Sequence, residues 1–309
     1  MTTFLYQPPA CADHDTGEDH PEHPMRLRAI QSILEHESFS DLIRVGAKKA
    51  TRAQLERVHT AHHIDHILST APKSGIAYLD AETVMSPNSA DAALFAAGAA
   101  CEAVDDVVAG TARNAFCAIR PPGHHAEPSQ AMGFCLFNNA AITAQHAHAV
   151  HGLTRIAIVD FDVHHGNGTQ TCCWKYPHLF YASSHQYPCW PDTGLESEVG
   201  DYDNISNAIL APGSGSDEFR AAWSERLLPK LERFEPQLVI ISAGFDAHAS
   251  DPQAQLRLQT TDFAWISKEL VELANRCCQG RVVSVLEGGY DPHALAASVG
   301  AHVYVLMTC

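Results

Sequence analysis

The stretch IAIVDFDVHHGNG, residues 156–168, joins an apolar β-rich run to a polar, glycine-rich segment. Ile156–Asp160 is apolar at successive positions, the pattern of a parallel strand covered on both faces. Working outward, the same join recurs three times. Ala115–Ile119 runs into RPPGHH (120–125), Leu238–Ala243 into GFDAH (244–248), and Val282–Leu286 into EGGY (287–290). Thr3–Tyr6 and Leu179–Ser183 complete the predicted strands. Helices are predicted at roughly Met25–Glu37, Ser89–Ala109, Asn138–His151, Asp217–Phe234, Asp262–Cys278 and Pro292–Met307. Such alternation predicts an α/β chain with a mostly parallel sheet and right-handed crossovers. No linker, repeat or low-complexity tract interrupts it, so a single domain over residues 1–309 is expected. In open parallel sheets sites gather beyond the carboxyl ends of the strands, where all four polar segments fall.

Composition narrows the function classes. Lys and Arg number 20 against 36 Asp and Glu, a formal charge of −16. A nucleic-acid binder needs a basic footprint, so no nucleic-acid partner is expected. A cationic ligand fits better, although simple solubility accounts for the charge more readily than any steering role does. The chain opens MTTFLYQPP with no basic or apolar leader pattern, and no apolar run reaches the ~18 residues of a membrane span. No membrane partner is expected. The 10 cysteines include no CxxC, and two pairs are adjacent (Cys172-Cys173, Cys277-Cys278). They read as reduced core residues of a cytoplasmic protein.

The candidate chemistry lies in the polar segments. In extended chain Asp160, Asp162 and His164 point to one side. Carboxylate oxygen and imidazole nitrogen suit Zn²⁺ or another borderline divalent ion. Alone this is a weak signal, because a solvated strand end gives the same letters. Asp246 ends another strand, and two carboxylates with one imidazole leave a position open for water, the mark of a catalytic site. His248 competes as a ligand. A turn at Pro121, Pro122 and Gly123 lets both His124 and His125 face one site, for proton transfer to and from reacting groups. Tyr290 follows Gly288 and Gly289, which allow close backbone approach to a substrate. Its phenol can donate to a developing oxyanion. Gly133-Phe134 and Trp190-Pro191 offer aromatic walls.

Five segments, RPPGHHA (120–126), GFCLFNN (133–139), VDFDVHHGNGTQ (159–170), SAGFDAH (242–248) and LEGGY (286–290), together resemble the zinc-dependent histone deacetylase family, its class II branch in particular. The resemblance spans nearly the whole chain. It implies an arginase-like three-layer fold with a central eight-stranded sheet. It implies Asp162, His164 and Asp246 as zinc ligands. His124 and His125 are the implied tandem pair, with His125 as general base and acid, and Tyr290 is the carbonyl-polarising phenol. Asp160 would orient His124, and Asn167 would partner His125. A structural potassium ion (K⁺) would be held by Asp160, Asp162, His164 and Ser183. Gly133, Phe134, Trp190, Gln253, Gly288 and Gly289 would contact substrate, and Arg26 would line an inner cavity beneath the metal.

The implied reaction is metal-assisted hydrolysis of an acetyl or related acyl amide, giving acetate and a free amine. The expected substrate is an acetylated lysine on a peptide or protein, or else an acetylated small amine such as an acetylpolyamine. Gln253, polar but uncharged, favours neither. A homo-oligomer is compatible with the sequence. Two rivals make distinct forecasts. A binuclear ureohydrolase would hold two metals. A silent acyl-lysine-binding protein would bind ligand without releasing acetate.

Overall fold

The computed structural model describes residues 2–309. Eight strands form one sheet: β1 (Thr3–Tyr6), β2 (Ile43–Val45), β3 (Asn114–Cys117), β4 (Ile156–Asp160), β5 (Leu179–Gln186), β6 (Ile205–Leu210), β7 (Leu238–Ala243) and β8 (Val282–Leu286). Their spatial order is β2-β1-β3-β8-β7-β4-β5-β6. Every pairing is parallel. The strands from β3 through β8 and β7 to β4 are buried along their whole length, which accounts for their unbroken apolar runs. A two-stranded antiparallel ribbon, Ala77–Tyr78 with Val84–Met85, stands apart from the sheet.

Helices α1 (Met25–Leu34), α5 (Thr260–Cys278) and α6 (Pro292–Thr308) pack together as one group. Helices α2 (Ser89–Ala109) and α3 (Asn139–His151) form a second. Helices α2 and α6 both pack on β3, which is buried throughout. Local chemistry sets the helix ends. Asn138 accepts from the Ala141 N–H at the start of α3, and Asp291 accepts from His293 and Ala294 at the start of α6, with Pro292 in the first turn. Gly110 ends α2 in the left-handed conformation.

The structure departs from the sequence expectation in identifiable places. Strands β2 and β6 were not anticipated. β2 is a three-residue strand with little burial, and β6 (ISNAIL) is polar at alternate positions. The strand expected at Ala115–Ile119 runs Asn114–Cys117, and β5 extends past Ser183 to Gln186. The first helix ends at Leu34 rather than Glu37. The helix expected over 217–234 runs as Ser216–Ala221, a widened π turn at Ala222–Leu227, and Leu228–Phe234. The wide turn ends two residues before Pro229, whose ring would strike a carbonyl one turn back in a regular helix. A short α4 (Asn167–Cys173) follows β4. All 10 cysteines are free, and seven are buried. Among the described residues no helix is long and apolar enough to cross a membrane.

Candidate active site

The four strands that end in polar, glycine-rich segments are the four central neighbours of the sheet, β3, β8, β7 and β4. Their carboxyl ends therefore deliver His124 and His125, Gly288 to Tyr290, Asp246, and Asp160 to His164 to one place. Asp160 lies level with Ser242 of β7 on one side and with Ser183 of β5 on the other.

Asp162, His164 and Asp246 converge, with candidate ligand atoms all within 4.8 Å of one another. His164 Nδ1 is 3.4 Å from Asp162 Oδ1 and 3.3 Å from Asp246 Oδ2. Ligands ~2.0–2.1 Å from a tetrahedral Zn²⁺ stand about 3.3–3.4 Å apart, so the spacing fits that ion. The remaining carboxylate atoms are tethered. Asp162 Oδ2 accepts the Gly288 N–H at 2.8 Å, and Asp246 Oδ1 accepts the Val163 N–H at 2.8 Å. Asp246 Oδ2 is buried and has no hydrogen-bond donor of its own. Burial, with Asp162 beside it, pushes Asp246 up to about 7. Two buried carboxylates, one with an oxygen unclaimed, are what a cation would complete.

Gly288 belongs to this cluster. A Cβ there would lie 2.2 Å from Asp246 Oδ2 and 2.6 Å from Asp162 Oδ2. Sequence reading assigned Gly288 and Gly289 to substrate approach. The structure places Gly288 against the two carboxylates and Gly289 against Leu295 and Phe245.

The two histidines are held differently. His124 Nδ1 is 3.0 Å from Asp160 Oδ2, and its Nε2 is 3.8 Å from Asp162 Oδ1. Burial opposes its charge, but Asp162 and Asp160 outweigh that in the metal-free chain and raise it to about 10. His125 Nδ1 is 2.9 Å from Asn167 Oδ1. Asn167 Nδ2 donates to Glu127 Oε1 at 2.9 Å, which assigns Oδ1 as the acceptor and the proton to His125 Nδ1. His125 Nε2 is thereby left with a free lone pair. Burial lowers the His125 pKa well below its ordinary value, and His124 and His164 lower it further.

A cavity of about 490 Å³ opens above this floor, lined by His125, His164, Phe134, Trp190, Gln253 and Tyr290 among others. His125 lines it and His124 lies beneath. The Trp190 ring meets His125 edge-on at 4.7 Å, and the Phe134 and Tyr290 rings are 5.9 Å apart. Gly133 lets this wall close. Its φ is +55°, and a Cβ would lie 2.6 Å from both the His125 and Trp190 rings. Burial raises the Tyr290 phenol well above its usual range, so it stays a donor.

Arg26 lies under the Tyr290 loop, fully buried. It donates to the carbonyls of Gly289, at 2.6 Å, and of Glu287, and its guanidinium sits 5.0 Å from the Tyr290 ring centroid. Glu22, unremarked in the sequence, pairs with Arg26 Nη1 at 2.9 Å and with Arg120 Nη2 at 2.8 Å. Glu287 was also missed. It accepts the N–H groups of Gly123 (2.6 Å) and His124 (3.1 Å), tying the end of β8 to the histidine turn. Its only sequence signal is its place before the two glycines. Asp160 additionally accepts from Tyr181 Oη at 3.0 Å and the Asp162 N–H at 3.1 Å. Ser183 Oγ bonds His185 Nδ1 at 2.9 Å. His248 stands away from the cluster, stacked on Phe263.

A second group, Asp105, His146 and His151, also brings three possible ligand residues together. Arg57 Nη1 lies 2.8 Å from His146 Nδ1 and must donate to it. That leaves the His146 proton on Nε2, directed at Asp105 at 2.8 Å. His151 Nε2 meets the same oxygen at 2.7 Å. This is a complete hydrogen-bond network joining α2 and α3.

A sequence model of the histone deacetylase domain matches residues 20–306. The chain is 36% identical over 316 residues to histone deacetylase 14, chloroplastic, of Arabidopsis thaliana, covering 96% of this chain and 74% of that protein. It is 39% identical over 291 residues to the histone deacetylase-like amidohydrolase of Pseudomonas aeruginosa, covering 92% and 74% respectively. A crystal structure described as the HDA15 HD domain matches with a TM-score of 0.94 at 34% identity, covering 99% of this chain and 88% of that one.

Proposed function

The chain belongs to the histone deacetylase family and is a hydrolase of that family; from that premise we propose that it cleaves acetyl or related acyl groups from acyl-lysine side chains with the aid of one zinc ion. The observation that carries this reading is the triangle of Asp162, His164 and Asp246 atoms, with 3.3 and 3.4 Å edges and an unclaimed Asp246 oxygen, at the floor of the cavity. These three residues would hold the ion. A divalent cation there supplies Lewis-acid polarisation of the acyl carbonyl and of the attacking water.

The chain's own groups supply the rest. His125, facing the cavity with its Nε2 lone pair free, takes the proton of the attacking water and returns one to the departing amine. Asn167 fixes its tautomer. His124 is held by Asp160, its Nδ1 3.0 Å from Oδ2. Tyr290 donates a hydrogen bond from its hydroxyl to the carbonyl oxygen as charge develops there. Phe134 and Trp190 flank the methylene chain of the acylamine. The level pairing of Asp160 with Ser183 supports the companion proposal of a K⁺ beside them. The 10 free thiols support a reducing compartment such as the cytoplasm.

A second reading, hydrolysis of a small acylated amine such as an acetylpolyamine, is favoured by Asp80 and Glu82 at the same cavity as the neutral Gln253. The binuclear ureohydrolase reading is disfavoured because the ligand atoms gathered at the cavity floor come from three residues, Asp162, His164 and Asp246, a set for one ion. The test is acetate release by zinc-loaded protein from an acetyl-lysine peptide and from an N-acetylpolyamine, side by side. Faster release from the peptide supports the first reading and faster release from the polyamine the second. Ligand binding with release from neither contradicts both.

A further inference from the structure

Asp251 lies five residues beyond Asp246, in the loop between β7 and α5, and is buried, 8% exposed. Three backbone N–H groups converge on it. Its Oδ2 accepts from Tyr290 at 2.6 Å and from Asp291 at 3.3 Å, and its Oδ1 accepts from Gln253 at 3.0 Å. Its own N–H donates to the His248 carbonyl at 2.8 Å, which fixes it in its turn. One carboxylate thus joins the segment carrying Asp246 and Gln253 to the segment carrying Tyr290.

The Tyr290 segment needs such an anchor. Gly288 and Gly289 precede it, with Gly289 at φ +120°, so the backbone is free to pivot there. The Asp291 side chain is committed to capping α6. Arg26 holds the carbonyls of Glu287 and Gly289 from below. Asp251 holds the amides of Tyr290 and Asp291. Burial of a carboxylate costs several kcal/mol unless hydrogen bonds repay it, and these bonds go to the backbone of the proposed oxyanion donor.

We propose that Asp251 is a positioning residue for the reaction, clasping the Tyr290 backbone so that the phenol meets the developing oxyanion. The inference rests on the function proposed above. Asp251→Asn keeps the shape but turns an NH₂ toward one of the backbone N–H donors that the carboxylate now serves. Misplacement of a reacting group by about 1 Å costs up to ~10²-fold in rate.

The test is a double-mutant cycle on zinc-loaded protein with Asp251→Asn and Tyr290→Phe. Asp251→Asn alone is expected to lower kcat about 10–100-fold with KM changed far less. In the Tyr290→Phe background the same change is expected to lower kcat little further, because both act through one hydroxyl. A fully additive cycle, or an unchanged kcat in the single variant, overturns the proposal. A second measurement needs no variant, metal or substrate. Hydrogen exchange of the wild-type metal-free chain should show protected Tyr290 and Asp291 amides, and fast exchange at both overturns the clasp even in an active enzyme. Absence of acetate release by the wild type instead overturns the function reading, and the exchange result still judges the clasp.

Discussion

Tyr290→Phe isolates one atom. The ring keeps its edge contact with Phe134 at 5.9 Å and its place 5.0 Å from the Arg26 guanidinium, so packing around the loop is retained. The Tyr290 amide keeps its 2.6 Å bond to Asp251. Asp162, His164 and Asp246 are untouched, so zinc affinity is expected to stay within about threefold of wild type. Only the hydroxyl donor is lost. In the wild type burial keeps that phenol protonated throughout any ordinary assay range. Losing one preorganised oxyanion donor costs ~10²–10³ in kcat, about 2.7–4 kcal/mol of barrier. The assay is steady-state acetate release from an acetyl-lysine peptide, with zinc content measured on the same sample. A drop of that size in kcat, with little change in KM and full zinc, is the expected result. A kcat within about threefold of wild type at full occupancy would refute the oxyanion role.

Three further outcomes follow from the geometry. Asp246→Ala removes one corner of the triangle, and its zinc affinity, read by competition with a chelator, should fall by more than the ~10–100-fold that follows loss of a residue merely hydrogen-bonded to a ligand; full occupancy after dialysis would contradict the ligand assignment. Gly133→Ala drives a Cβ to 2.6 Å from the His125 and Trp190 rings at a φ of +55°. Its stability should fall by about 1–3 kcal/mol and its turnover with it, and unaltered melting and kcat/KM would show that the wall yields. Glu22→Gln leaves Arg26 and Arg120 buried without their countercharge, a loss of about 3–5 kcal/mol at pH 7 in denaturant titrations. Arg120 and Arg26 hold the Glu22 carboxyl well below the usual range despite its burial. Its charge therefore stabilises the fold above the unfolded value of ~4.3, and that contribution is lost as pH falls below it. The gap between wild type and variant should narrow by on the order of 1–2 kcal/mol between pH 7 and pH 3, and a constant gap would contradict the assignment.

The polar ends of four strands were legible in the sequence because each apolar run stops abruptly at glycine and a titratable residue. Their adjacency was not, since strand order is a property of crossovers that no local pattern records. The spatial order β3-β8-β7-β4 turns four separate segments into one floor. Residues that act by reaching across the fold were equally hidden. Glu22 meets Arg120 from 98 positions away, and Glu287 meets His124 from 163. Asp251 sat beside an anticipated ligand, but its bonds are to backbone amides, which carry no side-chain signature. The glycines have a second use that the sequence did not disclose. A Gly-Gly pair before a tyrosine reads as room for substrate, whereas Gly288 makes room for the carboxylates of Asp162 and Asp246. Strand β2 escaped notice because it lies at the sheet edge with little burial, and edge strands need no apolar run.

The most direct test of the account measures metal content and acetate release on one preparation of the full chain. One tightly held zinc ion per chain is expected, with acetate release from an acetyl-lysine peptide abolished by chelation and restored by one equivalent of Zn²⁺. Two tightly held ions per chain, or acetate release that survives complete removal of metal, would contradict it.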